Sequence, residues 1–443
     1  MLAPLRNPVY RHLFAAQVLS LLGTGLATVA LGLLAFELAG ADAGVVLGTA
    51  LAIKMICYVG VAPVATAFAH LLPRRRLLVL LDLLRAAVVL LLPFVTEIWQ
   101  VYVLIALLQT GSAAFTPSFQ ATIPDVLPDE AEYTRALSLA RLAYDLESLA
   151  SPVLAAALLG VMGFSWLFAG TALGFVASAA LVASVVLPAP KPGAAEGAWA
   201  RTTRGVRIYL ATPRLRGLLA LNLAVAAAGA MVIVNTVVIV RAGLGLDDRA
   251  LALTLAAYGA GSMLAALSLP RLLERVPDRA AMLAGAGLLA LGMAAGLLVR
   301  DWGQVLALWI VLGLGNGLVL TPTGRLLRRS AEAGDRPALF AAQFALSHAC
   351  WLLTYPLAGW LGATGGIAAT FAVMAALAGL GVSAALALWP RHDPEELDHE
   401  HHGLPAGHPH LAGGAVALGG GRWRHRHAYV IDREHPRWPN PAR

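Results

Sequence analysis

The amino-acid sequence predicts an all-α polytopic membrane protein, with twelve transmembrane helices in two six-helix halves and a disordered C-terminal tail. Composition is the first reason, since 59% of the 443 residues are hydrophobic and only 13% are charged. A soluble core of this size does not require so much apolar surface. The second reason is the length of the apolar runs, most of which suit helices that cross about 30 Å of hydrocarbon. The third is an internal repeat.

Twelve apolar runs define the predicted spans. In the first half they cover residues 13–38, 45–71, 77–95, 99–119, 137–163 and 165–187. In the second half they cover residues 215–240, 251–273, 280–299, 302–323, 339–361 and 367–389. The first run is too long for the core of a signal peptide and lacks a clear small-residue cleavage site, so we expect it to remain as a spanning helix.

Proline, threonine and arginine landmarks recur along the chain at an offset of 204 or 205 residues. The matched positions are Pro8 with Pro213, Arg11 with Arg216, Pro73 with Pro277, Thr116 with Thr321, and Pro152 with Pro356. A fixed offset through loops and spans implies two parallel halves, with a substrate path between them near the midplane. The predicted divisions are a first half at 1–187, a linker with a short basic helix at 188–214, a second half at 215–390 and a tail at 391–443.

The formal net charge of +7 follows the predicted loops. Arginines cluster after the second, sixth and eighth spans, whereas the opposite loops carry only Arg241, Arg249 and Arg300. The positive-inside rule then places both termini in the cytoplasm, and we expect a multi-pass protein of a bacterial inner membrane. The charge gives no reason to expect a nucleic-acid partner. The two cysteines, Cys57 and Cys350, fall inside spans, which excludes a disulfide framework.

Twelve spans, the repeat, a long central loop and basic clusters after spans two and eight resemble the major facilitator superfamily. The loop FAHLLPRRRLL is similar to that superfamily's signature between its second and third helices, with His70 and Leu71 in place of the usual Asp-Arg pair. The resemblance implies a role in conformational change for the residues His70, Arg74, Arg75, Arg76, Asp82 and Arg85. The segments LLDLLRA, EAEYTRALSLARLAYDLESLASP and AAQFALSHACWLLTYPLAGWLG resemble bacterial nickel-resistance exporters with histidine-rich tails.

Charged residues inside the fifth span need a reason, because an intramembrane charge is costly and usually pairs or lines a polar path. Arg141 and Asp145 are four residues apart, on one helix face, so an internal ion pair is the simple interpretation. Asp145 and Glu147 are two residues apart and cannot both face one cavity well. Glu147 has no basic neighbour at helical spacing, and we therefore consider it a site for a cation or a proton.

Three residues of other spans complete the predicted transport path. Lys54 lies near the midplane, where it could pair with Glu147 or Asp145, as a fixed strut or as a pair that opens with substrate. His348 and Cys350 of the eleventh span offer an imidazole and a thiol, both ligands of late divalent metals. The alternatives are a packed histidine and a small buried apolar thiol.

The tail after Pro390 holds nine of the twelve histidines. They are His392, His399, His401, His402, His408, His410, His425, His427 and His435. Histidine-rich tracts commonly bind metals, and neutral imidazole suits Ni, Co, Cu and Zn. The alternative is a tail with incidental histidines.

These features predict a transporter that exports a divalent transition metal, Ni²⁺ or Co²⁺, and not an enzyme. Proton antiport is implied by the resemblance; no phosphate-binding G-x-x-x-x-G-K-[ST] loop supports ATP-driven transport. We expect the lipid bilayer, the metal and protons as partners, no tightly bound cofactor and no obligatory protein partner. Two alternatives remain open: a drug or siderophore exporter of the same fold, and a membrane metal sensor that does not transport.

Overall fold

A computed structural model describes residues 2–39, 43–188, 198–394, 396–405, 407–411, 414–432 and 434–439. The first half contains α1 Pro8–Ala39, α2 Ala43–Phe68, α3 Arg74–Leu91, α4 Ile98–Val126, α5 Glu130–Leu159 and α6 Ser165–Ala183. The connecting helix is α7 Ala198–Ala211. The second half contains α8 Pro213–Val237, α9 Asp248–Leu272, α10 Asp278–Ala295, α11 Trp302–Leu320, α12 Thr323–Arg329, α13 Arg336–Thr364 and α14 Gly366–Leu388. The tail contains β1 Glu396–His402, β2 Val416–Gly419 and β3 Arg422–Ala428.

Eleven of the described helical segments are long and apolar enough to cross a membrane. The twelfth predicted span corresponds to α5, which is 30 residues long but carries Arg141, Asp145 and Glu147 along its length. Its length suits a membrane crossing, while its charges require partners inside the protein. The all-α fold with two six-helix halves is therefore confirmed.

The two halves repeat the same packing. In the first half α1 packs on α6 and α2 on α4, and in the second half α8 packs on α14 and α9 on α11. The close approach of α9 and α11 depends on glycine, since a Cβ added at Gly313 lies 1.9 Å from the carbonyl oxygen of Tyr258. Small residues allow such backbone contact between membrane helices. The halves meet where α2 packs on α13 and α5 on α9.

Charged residues join the halves at the end of the molecule that carries the basic loops. The carboxylate of Asp125 on α4 lies 2.6 Å from Arg74 of α3 and 3.0 Å from Arg336 of α13. Arg325 of α12 lies 2.7 Å from Glu130 of α5. We call these five residues the basic-end latch. It holds the halves together on that side.

The tail is not disordered, and this part of the predicted fold is wrong. Its three strands form one antiparallel sheet in the order β1-β3-β2. The inner face of the sheet carries Leu397, His399 and His401 of β1. It also carries Trp423, His425 and His427 of β3. The opposite face is closed by charge pairs between the strands, such as Glu400 with Arg424 at 2.6 Å. Alternation with a period of two gives the sheet a histidine face and a charged face.

The sheet is anchored on the second half. Tyr429 and Ile431 are buried in the same apolar cluster as residues of α8, α10, α11 and α13. Asp393 accepts a hydrogen bond from Trp389 Nε1 at 3.1 Å and also pairs with Arg329. The tail therefore has a fixed position against the basic end of the second half.

Candidate functional site

A cavity of about 580 Å³ lies between the halves. Residues of α1 to α6 line one side, and residues of α8, α11, α12 and α13 line the other. Its charged lining residues are Lys54, Arg85, Arg141 and Glu147, and His348 also faces it. Its volume lies in the range of small-molecule binding sites, and its position between the halves is where the sequence repeat predicts a substrate path.

Glu147 reaches the cavity from α5, where it is partly exposed. Ser151, one turn further along, donates a hydrogen bond to Glu147 Oε1 at 3.4 Å. Gly25 of α1 makes room for both groups, because a Cβ there lies 2.1 Å from Ser151 Oγ and 2.5 Å from Glu147 Oε1. The absence of a side chain at Gly25 thus sets the position of the carboxylate.

Arg141 and Asp145 form an ion pair, with 2.7 Å between Arg141 Nη2 and Asp145 Oδ1. Arg141 also donates from Nε to Ser262 Oγ of α9 at 2.9 Å, which joins the two halves. Asp145 is 5% exposed, and it is not among the cavity-lining residues. Helical geometry thus separates the two acids, as their two-residue spacing predicts.

Lys54 lines the cavity from α2, with its ammonium 5.6 Å from the centre of the Tyr58 ring. Within the described part of the chain, no carboxylate oxygen lies within 4.0 Å of this ammonium. The predicted pair with Glu147 or Asp145 is therefore not formed in this conformation, although Lys54 and Glu147 share the cavity. That leaves the ammonium available to a ligand.

His348 faces the cavity from α13 and its ring nitrogens have different roles. Nδ1 donates to the carbonyl oxygen of Phe344 at 2.7 Å, because a carbonyl can only accept. This bond leaves Nε2 with a free lone pair. Cys350 donates to the carbonyl oxygen of Leu346 at 3.6 Å and is not among the cavity-lining residues. The structure thus brings Glu147 and His348 to one cavity but not Cys350.

The residues predicted to act in conformational change divide into three groups. Arg74 belongs to the basic-end latch, while Arg75 and Arg76 beside it are exposed. His70 lies in the short 3-10 helix Ala69–Leu71. Asp82 and Arg85 lie inside α3, not in the loop; they form a buried ion pair, and Ser178 donates to Asp82 Oδ2 at 2.8 Å.

A second site lies in the tail, where six histidines meet at the inner face of the sheet. The site consists of His399, His401, His410, His425, His427 and His435, whose ligand nitrogens all lie within 4.8 Å of one another. We call it the six-histidine centre. The other predicted tail ligands, His392, His402 and His408, are not part of it.

Hydrogen bonds turn the Nε2 atoms of three rings towards the middle of the centre. Nδ1 of His399 donates to the Leu397 carbonyl oxygen at 3.0 Å. Nδ1 of His427 donates to the Ala428 carbonyl oxygen at 2.8 Å. The Nδ1 of His435 lies 2.8 Å from Asp432 Oδ1. Such outer contacts fix the tautomer and orientation of metal-binding histidines. Buried His425 Nε2 and His427 Nε2 have no hydrogen-bond partner within the described residues.

Nitrogen–nitrogen distances among four of the six rings can be compared with those of regular metal sites. His401 Nε2 lies 3.1 Å from His399 Nε2 and 3.1 Å from His410 Nε2, and His435 Nε2 lies 2.9 Å from His399 Nε2. With metal–nitrogen bonds of about 2.1 Å, adjacent ligands lie about 3.0 Å apart in an octahedron and about 3.4 Å apart in a tetrahedron. The three distances, among His399, His401, His410 and His435, are closer to the octahedral value than to the tetrahedral one.

Burial and the neighbouring imidazoles lower the pKa of several rings of the centre. Desolvation, followed by the effect of nearby histidines, lowers the pKa of both His401 and His425 to about 4. The same causes lower the pKa of His410. Neutral imidazole is the form that binds a metal ion. At neutral pH His401, His410 and His425 are therefore available to a metal in their neutral form.

The residues that sequence reasoning missed are those that assemble the sites. Asp125, Arg325 and Arg336 of the latch come from three separate helices, α4, α12 and α13, and nothing in their local sequence links them. Asp432 and Tyr429 support the six-histidine centre from beyond the last strand. A signal for the centre did exist, since LDHEHH and RWRHRH alternate with the period of a strand.

Comparisons with known proteins agree with this architecture. The family profile described as Major Facilitator Superfamily matches residues 13–237 and 219–427. No curated protein matches the sequence significantly. The human organic anion transporter MFSD10 (TETRAN) has a similar structure, with a TM-score of 0.71 at 13% identity, covering 85% of this chain and 99% of its own. A bacterial homologue of the iron transporter ferroportin, in an outward-facing state, has a TM-score of 0.68 at 15% identity. The similarity covers 86% of this chain and 99% of the homologue's chain. At these identities the likeness shows the fold alone.

Proposed function

Because this chain belongs to the Major Facilitator Superfamily, we propose that it is a secondary active transporter that exports a divalent transition metal, Ni²⁺ first and Co²⁺ second, from the cytoplasm. The observation that supports the metal is the six-histidine centre, with nitrogen spacings of 2.9 to 3.1 Å. Structural Zn²⁺ sites are almost always four-coordinate, so six converging imidazoles exceed the ligand number of such a site. Nitrogen sites bind Cu²⁺ more tightly than Ni²⁺ in the general order of affinities, and the choice of Ni²⁺ and Co²⁺ therefore rests on the resemblance to nickel-resistance exporters.

The position of the centre suggests how it serves transport. The rings of His399 and His435 lie 4.9 and 4.5 Å from Tyr429, whose ring lies 5.1 Å from Trp438. Trp438 in turn lies 4.9 Å from the Arg214 guanidinium at the start of α8. With both termini in the cytoplasm of a bacterial cell, the centre collects metal on the side from which an exporter loads.

In the mechanism we propose, the halves rock about the central cavity and the basic-end latch closes its cytoplasmic side. Glu147 and the free Nε2 of His348 contact the metal-bearing substrate. Protonation of Glu147 from outside weakens the contact and supplies the coupling proton. The ion pairs of the latch are formed in this structure, and in the proposed mechanism this is the state that closes the cavity on the side of the basic loops.

Growth of cells in nickel or cobalt tests this proposal. We expect the full-length protein to protect cells, and Glu147→Gln to abolish protection at equal membrane abundance. Deletion of residues 391–443 should reduce protection at low metal concentration, where collection by the centre matters most. If none of these forms protects against nickel or cobalt, the proposal is wrong.

A further inference from the structure

The lining of the central cavity has an unexpected charge balance for a metal exporter. Three cationic groups face it, those of Lys54, Arg85 and Arg141, against the single carboxylate of Glu147. The acids that pair with the two arginines, Asp82 and Asp145, are not among the lining residues. The cations thus face the cavity while two of the balancing anions lie behind them. A bare divalent cation would meet like charge on several sides.

The size of the cavity also exceeds what an ion requires. A metal ion with six waters occupies roughly 180 Å³, at about 30 Å³ for each water. The cavity of about 580 Å³ lies within the range that holds small organic molecules. Glu147 and His348 supply only two metal donors, and the remaining polar groups are amides and hydroxyls such as Gln17, Gln109 and Asn222. These groups suit an oxygen-rich organic ligand.

Lys54 is the group best placed to bind such a ligand. Arg141 already uses Nη2 on Asp145 and Nε on Ser262. Arg85 pairs with Asp82 and lies between the rings of Phe115 and Phe175, at 4.2 and 4.4 Å. The Lys54 ammonium has the Tyr58 ring at 5.6 Å and no described carboxylate within 4.0 Å. A carboxylate of the substrate fits the open position beside it.

We propose that the cavity binds the metal as an anionic complex with a small polycarboxylate, not as a bare ion. This inference rests on the proposed metal export and specifies its cargo. Carboxylates of the complex pair with Lys54 and face Arg141. Other carboxylates of the same molecule coordinate the metal and screen the positive charge of the metal from the cationic lining of the cavity. Glu147 and His348 then contact the exposed part of the metal. The tail centre collects free metal, and the cavity moves the complex.

Proteoliposomes that contain the full-length protein test the inference, with ⁶³Ni²⁺ and ¹⁴C-citrate as probes. Citrate lowers the concentration of free Ni²⁺, so it slows transport if the bare ion is the cargo. We expect the opposite: citrate accelerates nickel uptake, and both labels enter together. Lys54→Gln should reduce the citrate-dependent uptake at least about tenfold, the loss expected from removing one charged hydrogen bond. Lys54→Arg should restore most of it.

The matched control is Arg300→Gln, which removes one exposed positive charge far from the cavity and should leave uptake unchanged. Nickel uptake that citrate slows, and that Lys54→Gln leaves unaltered, overturns the inference while metal export stands. If citrate enters the proteoliposomes but nickel does not, whether or not nickel is present, both the proposed metal export and the inference of an anionic metal complex are wrong. The two labels therefore distinguish the two failures.

Discussion

Removing one ligand of the six-histidine centre gives a direct test of its geometry. His425 is 5% exposed, pairs with His399 in the strand register, and has a buried Nε2 that forms no hydrogen bond with any residue the structure describes. In His425→Ala one corner of the octahedron is lost. Removing an outer contact of a metal ligand typically weakens affinity 10- to 100-fold, so losing the ligand itself should weaken Ni²⁺ binding by about 100-fold or more.

Isothermal titration of the full-length protein with Ni²⁺ measures this change. One tight site for each chain is expected in the wild type, and its affinity should be about 100-fold or more lower in His425→Ala. The control is His392→Ala, because His392 is an exposed tail histidine outside the centre. Equal nickel affinity in the two variants would refute an octahedral centre and would leave a tail whose histidines act independently.

Three further predictions concern the supports of the two sites. Asp432→Asn weakens the contact that orients His435 and should lower nickel affinity about 10- to 100-fold in the same titration, with Asp398→Asn on the charged face as the control. Gly25→Ala places a methyl 2.5 Å from Glu147 Oε1 and should reduce nickel transport severalfold at normal membrane abundance. Gly32→Ala on the same helix meets no atom within 4 Å and should transport normally; equal transport by both would contradict the assigned role of Gly25. Asp125→Asn removes the carboxylate that Arg74 and Arg336 share, so it should open the latch. The reporter is a cysteine in place of the cavity residue Ser347, in a protein that also carries Cys57→Ser and Cys350→Ser. We expect a thiol reagent added on the cytoplasmic side to label this cysteine faster in Asp125→Asn. Unchanged labelling there would mean that the latch does not hold the cavity closed.

The helical part of the fold could be predicted because membrane helices are specified by local sequence. Length and hydropathy located the spans, and the repeat of prolines divided them into halves. Helical spacing also separated Asp145 from Glu147 before any contact was known. The repeat alone also predicts a path between the halves, and a cavity lies there.

The interactions between distant segments could not be predicted in the same way. Lys54 and Glu147 were placed at one depth, but depth does not determine whether two side chains lie within 4 Å. Asp125 meets Arg336 only because the halves close against each other at that end. These contacts depend on the rotation and tilt of whole helices, which the sequence pattern does not give.

The sheet of the tail differs from the predicted disorder for another reason. Glycines and charged residues are typical of disordered segments, whereas histidine and charge alternate in β1 and β3 with the period of a strand. Several of the glycines have positive φ, among them Gly403, Gly419, Gly420 and Gly421, and they make the turns of the sheet. Composition and periodicity thus point to opposite structures in this segment.

Nickel accumulation in everted inner-membrane vesicles tests metal export most directly. Respiration acidifies the interior of such vesicles, and an exporter driven by proton antiport then concentrates ⁶³Ni²⁺ inside. We predict accumulation with the full-length protein in the presence of citrate, loss of accumulation on adding a protonophore, and none with Glu147→Gln. Vesicles that contain the wild-type protein but accumulate no more nickel or cobalt than vesicles without it would contradict the account.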